Sequence, residues 1–342
     1  MYPANLQTPI LFLVFNRPST TKIVFEAIRK ARPSKLYVAA DGPRYDKAGE
    51  VDKCEEVRGI VKNIDWECEL KTLFRNENFG CGKGVSNGIT WFFENEPEGI
   101  ILEDDCLPHP TFFQYCSELL EKYRHDSRVM EISGNNLRPE DYIVDDYSYS
   151  FSNFNGIWGW ASWRRAWNLY DYEMKEYKHV QRMKLLVYNS IFEKDYFNWV
   201  FERTFLFPHI TWDYQWEFVK RVNSGLTIVP QKNLVVNLGF GEGATSTVGA
   251  GPGSDLKSHA LNFPLNHPPV MMADVKGDSL AFKFYMTTFS SRIKSYVKSL
   301  MPGRLRKKLF KASMAQFIKS QSSMPEVVAK LKEKSALNLF FF

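Results

Sequence analysis

The sequence predicts an α/β fold with a mostly parallel sheet covered by helices on both faces. Over the first 135 residues, short apolar runs alternate with segments whose apolar residues follow a helical period. Turn signals such as Asp41-Gly42-Pro43 end the apolar runs. The hydrophobic fraction of 44% and the charged fraction of 24% are typical of a globular domain.

The first half of the chain contains five predicted strands joined by four predicted helices. The strands are Ile10–Phe15, Leu36–Ala40, Leu70–Phe74, Gly99–Leu102 and Val129–Ser133, and the helices are Thr20–Lys30, Glu50–Ile64, Lys83–Glu94 and Pro110–Tyr123. The chain beyond residue 147 is less regular and more aromatic. Its predicted elements are helices Tyr177–Glu202 and Asp213–Asn223, strands Leu226–Val229 and Asn233–Val236, and a glycine-rich loop Gly239–Gly253.

Composition excludes several classes of protein. No run of about 18 apolar residues is present, so no membrane span is predicted. The start of the chain lacks the pattern of a secretory signal peptide. The five cysteines show no CxxC spacing, which indicates reduced thiols and a cytoplasmic location.

Charge divides the chain into two regions. Residues 276–342 hold 14 Lys/Arg and 3 Asp/Glu, a net charge of +11, whereas residues 1–275 hold 30 basic and 36 acidic residues, a net charge of −6. We therefore predict a domain over residues 1–275, with a nucleotide-binding half (1–135) and an acceptor half (136–275), followed by a basic helical tail (276–342).

Within this tail, residues 281–334 interleave apolar and basic side chains at helical spacing, and the apolar run Leu337–Phe342 completes the segment 281–342. This pattern favours peripheral binding to an anionic membrane surface, at the inner face of the membrane. The alternative is a solvated basic helix packed on the main domain. No nucleic-acid-binding motif is present, and no nucleic acid partner is expected.

Three consecutive carboxylates, Glu103, Asp104 and Asp105, follow the fourth predicted strand directly. Arg17, Asp41 and Arg75 also follow predicted strands, and ligands of parallel sheets collect at the carboxyl ends of strands. Clustered carboxylates suit a hard divalent cation, Mn²⁺ or Mg²⁺, which would keep the acids ionised. The alternative is a solvated acidic turn.

Five further segments flank the acidic triplet in order: ILFLVFNRPSTTKIVFEAIRKARPS (Ile10–Ser34), LYVAADG (Leu36–Gly42), FNGIWGWASWRRAW (Phe154–Trp167), TWDYQW (Thr211–Trp216) and VPQKNLVVNLGFGEGATST (Val229–Thr247). Together they resemble GT-A fold glycosyltransferases of the N-acetylglucosaminyltransferase I type and related bacterial glycosyltransferases. The resemblance covers roughly residues 9–250. It implies a GT-A fold with a Rossmann-like sheet.

The resemblance also assigns roles to single positions. It implies that Arg17 and Asp41 hold the nucleotide, with Asp41 accepting a hydrogen bond from the uracil N3–H. In the triplet, it implies that Asp105 is the metal ligand, that Asp104 faces the ribose or the sugar, and that Glu103 contacts the donor sugar. It further implies that Asp213 is the general base and that Thr245 lies near the phosphates. The alternative for Asp213 is a helix N-cap. His259 is a further candidate to assist the metal.

The expected function is that of an inverting glycosyltransferase that moves a sugar from a UDP-sugar to a glycan or lipid-linked glycan. Such a reaction needs one base for the acceptor hydroxyl and a cation for the leaving diphosphate. Trp160 and Trp212 are candidates for sugar contact, or else core residues. Two alternatives remain: a sugar-phosphate nucleotidyltransferase, and a non-catalytic carbohydrate- or membrane-binding scaffold on the same fold.

Overall fold

A computed structural model describes residues 5–240, 253, 255–283, 301 and 303–321 of the chain. Ten strands are present: β1 (Ile10–Val14), β2 (Lys35–Ala40), β3 (Glu69–Phe74), β4 (Glu98–Glu103), β5 (Cys106–Pro108), β6 (Val129–Ser133), β7 (Tyr149–Ser152), β8 (Trp160–Trp163), β9 (Leu226–Pro230) and β10 (Val235–Asn237). The helices are α1 (Pro18–Ala31), α2 (Glu50–Val61), α3 (Gly80–Asn95), α4 (Pro110–Tyr123), α5 (Arg164–Trp167), α6 (Tyr177–Met183), α7 (Ile191–Leu206), α8 (Asp213–Val222), α9 (Val275–Ala281) and α10 (Gly303–Gln321).

Eight of the strands form one sheet in the order β3-β2-β1-β4-β8-β6-β9-β7. Strands β8 and β7 run antiparallel to their neighbours, and the other pairings are parallel. Strands β5 and β10 form a separate antiparallel pair. The predicted α/β fold with a mostly parallel sheet is therefore confirmed.

The sheet is covered on both faces because successive residues of a strand point to opposite sides. In β1, Ile10, Phe12 and Val14 face a core shared with α1, α2 and α4. The intervening Leu11 and Leu13 face a second core shared with α3, α5 and α8. Strands buried on both faces explain why the sequence shows continuous apolar runs rather than alternation.

The second half of the chain departs from the predicted elements. The helix expected over Tyr177–Glu202 is two helices, because Lys184 takes a left-handed conformation (φ 55°) and ends α6. Ser190 then begins α7, with its side chain accepting a hydrogen bond from the Glu193 amide. Strands β7 and β8 were not predicted; each has only four residues.

The tail helix α10 packs on the main domain. Met314 is buried, and Phe310 and Phe317 pack against an aromatic cluster that includes Phe201 and Phe207. The described part of the tail therefore uses apolar side chains to contact protein. Membrane binding by residues 281–342 stays a prediction, and residues 284–300, 302 and 322–342 lie outside the described part of the chain.

The composition predicts no membrane span. Over the described residues, no helix combines the length and the apolar content that a bilayer span requires.

A buried ion pair fixes helix α8 to the sheet. The Lys220 ammonium lies 3.4 Å from the Glu131 carboxylate of β6, and both side chains are fully buried. The same carboxylate accepts hydrogen bonds from the Trp216 indole of α8 and from the Gly156 amide that precedes β8. Glu131 thus determines where the first residue of α8, Asp213, is held relative to the sheet.

Replacing Lys220 with methionine should lower the free energy of unfolding by about 3–5 kcal/mol, because the buried Glu131 carboxylate would lose its counter-charge. A denaturant titration measures this loss. The double variant Glu131→Gln/Lys220→Met removes both charges and should recover most of it. A single variant as stable as the original chain would show that the pair contributes nothing.

Candidate active site

Charged side chains converge at the carboxyl edge of the sheet, where β1, β2 and β4 end, an edge that we call the cleft. It receives Arg17 after β1, Asp41 after β2, and Glu103 with its two acidic neighbours after β4. The parallel register aligns these ends: Leu13 of β1 pairs with Glu103 of β4, and Val14 pairs with Ala40 of β2. The convergence predicted from the sequence is therefore present for these strands.

Arg17 joins the two aspartates of the triplet. Its Nη1 donates to Asp105 Oδ2 at 2.9 Å, and its Nη2 donates to Asp104 Oδ1. The Phe15 amide also donates to Asp104, at 3.2 Å. Burial alone would lower the pKa of Arg17, but attraction to Asp104 and Asp105 outweighs it and raises the pKa. Arg17 thus supplies the positive charge that three adjacent carboxylates require.

Two carboxyl groups of the triplet, those of Glu103 and Asp104, are hard to ionise in this structure. Burial, partly offset by Arg17, raises the pKa of Asp104 to about 6. Burial, followed by repulsion from Asp105 and Asp104, raises the pKa of Glu103 to about 8. Each additional negative charge is costly here, so an arriving cation would be stabilised.

The chain that follows β10 completes this corner of the cleft. The Leu238 amide donates to the Asp105 carbonyl at 2.7 Å, and the Gly239 amide donates to Asn237 Oδ1 at 2.7 Å. A Cβ at position 239 would clash with the Asp105 carboxylate, so only glycine allows this approach. Sequence reasoning missed Asn237 and Gly239, because the β5–β10 pairing that brings them here is long-range.

Asp41 caps the amino end of α3. Its carboxylate accepts hydrogen bonds from the Phe79 and Gly80 amides at 3.0 Å. Burial raises its pKa, while these backbone donors and the charge of Arg75 oppose the rise. The Asp41 carboxylate thus stabilises the helix start, and its role in nucleotide binding stays a prediction.

Asp213 lies close enough to the triplet to act on the charge of Glu103. It is the first residue of α8, after the N-cap residue Trp212, and its carboxylate accepts from the Thr211 hydroxyl. Burial raises its pKa, against that hydrogen bond and the charge of Arg203. Repulsion from Asp213 contributes to the raised pKa of Glu103, so the structure brings the predicted base and the triplet into one site. The N-cap alternative is replaced by a first-turn position.

Cys81 lies between these acidic groups and was not predicted. Its thiol is accessible to solvent, yet it sits in a recess densely surrounded by protein atoms. This burial, followed by repulsion from Glu103, Asp213 and Asp41, raises its pKa to about 12. The thiol is therefore protonated and is not a nucleophile at neutral pH.

The two tryptophans predicted to contact sugar are core residues instead. Trp160 is fully buried and Trp212 is 2% exposed. Their rings stack on each other, with centroids 5.7 Å apart and planes 19° apart. Both rings pack against Trp167, and the Trp160 ring also packs against Trp216. A ring enclosed in this way has no free face for a sugar, so this prediction is corrected.

Two other candidates cannot be placed in the cleft. Thr245 lies outside the described residues. His259 is 3.8 Å from the Glu140 carboxylate, and its amide donates to the Asn233 carbonyl. None of these contacts involves the acidic triplet, and the suggestion that His259 assists a metal receives no support from its surroundings.

The protein alone offers few ligands for a metal ion. Within the described ranges, no group of three or more His, Cys, Asp and Glu side chains is arranged to hold one. The oxygen donors of Asp104 and Asp105 nevertheless match Mn²⁺ or Mg²⁺ in chemical type, and Mg²⁺ is commonly bound by one or two carboxylates together with phosphate oxygens and water. The donor chemistry would therefore suit a cation that arrives with a diphosphate, although both carboxylates are paired with Arg17 in this structure, and the cation stays a prediction.

Comparisons with known proteins yield partial structural matches. No family model matches the chain, and no curated protein does. HddC from Yersinia pseudotuberculosis is 11% identical, with a TM-score of 0.28 over 46% of this chain and 78% of HddC. UDP-glucose pyrophosphorylase complexed with UDP-glucose is 11% identical, with a TM-score of 0.25 over 43% of this chain and 62% of that one. The inositol-1-phosphate CTP transferase from T. maritima is 10% identical, with a TM-score of 0.29 over 48% of this chain and 74% of that one.

These matches do not confirm the resemblance to glycosyltransferases. None of the three is a glycosyltransferase by name, and two are named as a pyrophosphorylase and a CTP transferase. TM-scores below 0.3 at 10–11% identity carry no argument about activity. The functional conclusion therefore depends on the cleft itself.

Replacing Glu103 with glutamine should stabilise the ligand-free protein increasingly as the pH rises from 5 to 8. The folded state keeps the Glu103 proton up to about pH 8, whereas an ordinary glutamate loses it near 4.5, so stability falls as the pH rises through this window. We expect the melting temperature to rise by about 2 °C or more at pH 8, and by less at pH 5.

Thermal unfolding in the presence of a chelator tests this expectation. Glu56→Gln, at an exposed position on α2, is the matched control and should show no such trend. An equal effect of Glu103→Gln at both pH values would contradict the assigned electrostatics.

Proposed function

We propose that this protein is an inverting glycosyltransferase that takes a sugar from a UDP-sugar and passes it to a hydroxyl of a glycan or lipid-linked glycan. The observation that carries the proposal is the position of Asp213. Its partly desolvated carboxyl group lies in the same cleft as Glu103 and the Arg17–Asp104–Asp105 cluster. A UDP-sugar held at that cluster would lie beside the Asp213 carboxyl group, which can act as the base.

The donor side of the cleft suits a nucleotide diphosphate. Arg17 projects from the end of β1 and is 22% exposed, so its guanidinium can reach a phosphate while it holds the aspartates. Asp41 would bind the uracil base of the nucleotide. Its carboxylate can accept a further hydrogen bond in addition to those from the amides at the start of α3. Glu103, protonated at neutral pH in this structure, could donate a hydrogen bond to a sugar hydroxyl.

A divalent cation, Mn²⁺ or Mg²⁺, would be held by Asp105 and would neutralise the charge of the leaving diphosphate. The residues of this chain prepare that corner. Gly239 and Asn237 restrict access to the Asp105 carboxylate, and Arg17 keeps the two aspartates together. Asp104, 2% exposed, would position the neighbouring groups rather than contact bulk solvent.

The acceptor side depends on Asp213. A general base is most effective when its pKa lies near the working pH, and burial moves the pKa of Asp213 upward in that direction. Three groups oppose this rise in the pKa of Asp213 and favour its ionised form: the Thr211 hydroxyl, the backbone at the start of α8 and the charge of Arg203. Asp213 would take the proton from the acceptor hydroxyl as the new glycosidic bond forms.

Nucleotidyl transfer to a sugar phosphate is the second candidate. Two of the partial structural matches have names of this class, but at TM-scores below 0.3 those names carry no weight. That reaction brings together two phosphorylated substrates, which calls for several cations. The cleft instead groups five carboxyl groups, those of Asp41, Asp213 and the triplet, against three arginines: Arg17 pairs with Asp104 and Asp105, Arg75 acts on Asp41, and Arg203 acts on Asp213. This balance of charge supports sugar transfer over nucleotidyl transfer.

The two reactions release different products, and one assay separates them. A glycosyltransferase incubated with UDP-sugars and acceptor glycans, or with water as acceptor, releases UDP. A nucleotidyltransferase incubated with a nucleoside triphosphate and sugar 1-phosphates releases pyrophosphate. Pyrophosphate release without any UDP release would replace the proposed function with the second candidate.

Asp213→Asn should retain binding of a UDP-sugar and lose transfer by about 10²–10⁴-fold in kcat, because the amide cannot accept the proton. Calorimetry measures binding and UDP release measures turnover. Asp141→Asn, at an exposed position before β7, is the matched control and should leave turnover unchanged. Full turnover in Asp213→Asn would remove Asp213 as the base.

Removing divalent cations with a chelator should weaken UDP binding by about tenfold or more, because Arg17 alone would then face the diphosphate. Titration calorimetry with and without Mn²⁺ measures the difference. Asp105→Asn should bind UDP with the same affinity whether or not Mn²⁺ is added. Tight binding that a chelator leaves unaffected would argue against a cation at Asp105.

A further inference from the structure

The guanidinium of Arg203 is enclosed by aromatic rings. Its central carbon lies 5.2 Å from the ring centroid of Trp199, 5.7 Å from that of Tyr214 and 6.0 Å from that of Phe317. Cations at such distances are attracted by the ring quadrupole, more strongly when water is partly excluded. Arg203 is half-buried, so the three rings replace part of its hydration.

Hydrogen bonds do little to fix the guanidinium at Nε. This atom is buried and has no hydrogen-bond partner in the described part of the chain. Buried polar atoms without partners are uncommon, and each such atom calls for an explanation. In this case the ring cage holds the charge.

One of the three rings belongs to the tail. Phe317 is in α10. Its ring makes edge-to-face contacts with the rings of Trp199 and Phe207, at centroid distances of 5.9 and 5.4 Å. The other two rings belong to α7 and α8. The C-terminal helix therefore completes the cage around a side chain of the main domain.

The caged charge acts on the candidate base. Arg203 favours the ionised form of the Asp213 carboxyl group, while burial, which has the larger effect, favours the neutral form. Tyr214, one of the cage rings, directly follows Asp213 in the sequence, and its hydroxyl is 2.7 Å from that of Tyr196 on α7. The cage and the carboxylate therefore share one short stretch of α8.

We propose that Arg203 is a positioning residue for Asp213, and that the tail helix controls it by placing Phe317 against the guanidinium. This inference deepens the proposed function and depends on it for the catalytic role of Asp213. The tail helix would then contribute to the acceptor side of the site through Phe317, in addition to carrying basic residues. Loss of the α10 contact would release Arg203 and alter the proton affinity of the base.

Other groups also act on Asp213 and must be held constant in any test. The titratable groups coupled to it are Glu103, Cys81, Tyr170, Tyr196 and Tyr214, in addition to Arg203. The three tyrosine hydroxyls and the thiol have pKa values raised by burial, so they stay neutral near pH 7. Glu103 is the remaining group that changes charge near neutrality.

The test compares variants of the full chain by carbon NMR of labelled aspartate carboxyl groups, with Asp213 assigned through Asp213→Asn. Arg203→Met should move the Asp213 titration to higher pH, and Arg203→Lys should restore most of the original value. Phe317→Ala should move it in the same direction as Arg203→Met. Phe317→Leu removes the ring but keeps an apolar side chain. It should shift the Asp213 titration as Phe317→Ala does, and it replaces that variant in the test if Phe317→Ala does not fold.

Phe310→Ala is the matched control, because Phe310 lies on the same helix and packs on the same cluster, whereas the cage rings are Trp199, Tyr214 and Phe317. It should leave the titration in place. In the transfer assay, Phe317→Ala should move the acidic limb of the kcat–pH profile to higher pH, in parallel with the Asp213 titration, with an unchanged KM for the UDP-sugar.

The outcomes separate this inference from the proposed function. Identical titration of Asp213 in Phe317→Ala, Phe317→Leu and Phe310→Ala would overturn control by the tail helix. An unshifted titration in Arg203→Met would overturn the role of Arg203, even in an active transferase. The expected shifts in a protein that transfers no sugar would support the positioning contact and refute the proposed function.

Discussion

The pairing of Arg17 with Asp104 and Asp105 is the interaction on which the cleft depends. Strand β4 leaves the core and ends on three carboxyl groups whose mutual repulsion would otherwise disfavour such a tight turn. Arg17 can answer that charge because β1 and β4 are adjacent and parallel, so their ends lie level. The register of one strand pair thus determines the electrostatics of the whole site.

Much of this arrangement could be predicted from the sequence. Helix Pro110–Tyr123 and strand Val129–Ser133 have the predicted bounds, because proline and a continuous apolar run mark them locally. The positions of Arg17, Asp41 and the triplet followed from a general property of parallel sheets. The contributions of Asn237 and Gly239 did not, because they depend on strands separated by more than 120 residues. No local pattern encodes such a pairing.

Burial of aromatic residues was equally beyond sequence reasoning. A tryptophan that stacks on a sugar and one that fills a core have the same composition and the same neighbours along the chain. Trp160 and Trp212 were separated from the cleft only by the packing of α8 against β8. The tail shows a similar limit: apolar side chains among lysines fit a lipid surface or a protein surface, and α10 uses Phe310, Met314 and Phe317 on protein.

Cys81 illustrates a consequence of gathering acids around an open recess. Sulfur is attacked by oxidants mainly as the thiolate, and burial, followed by repulsion from the carboxyl groups beside Cys81, suppresses that form although the residue is exposed. Cys54, Cys106 and Cys116 are protected by enclosure instead. The acidic surroundings therefore add to the protection from oxidants of Cys81, the one cysteine that is exposed in the described part of the chain.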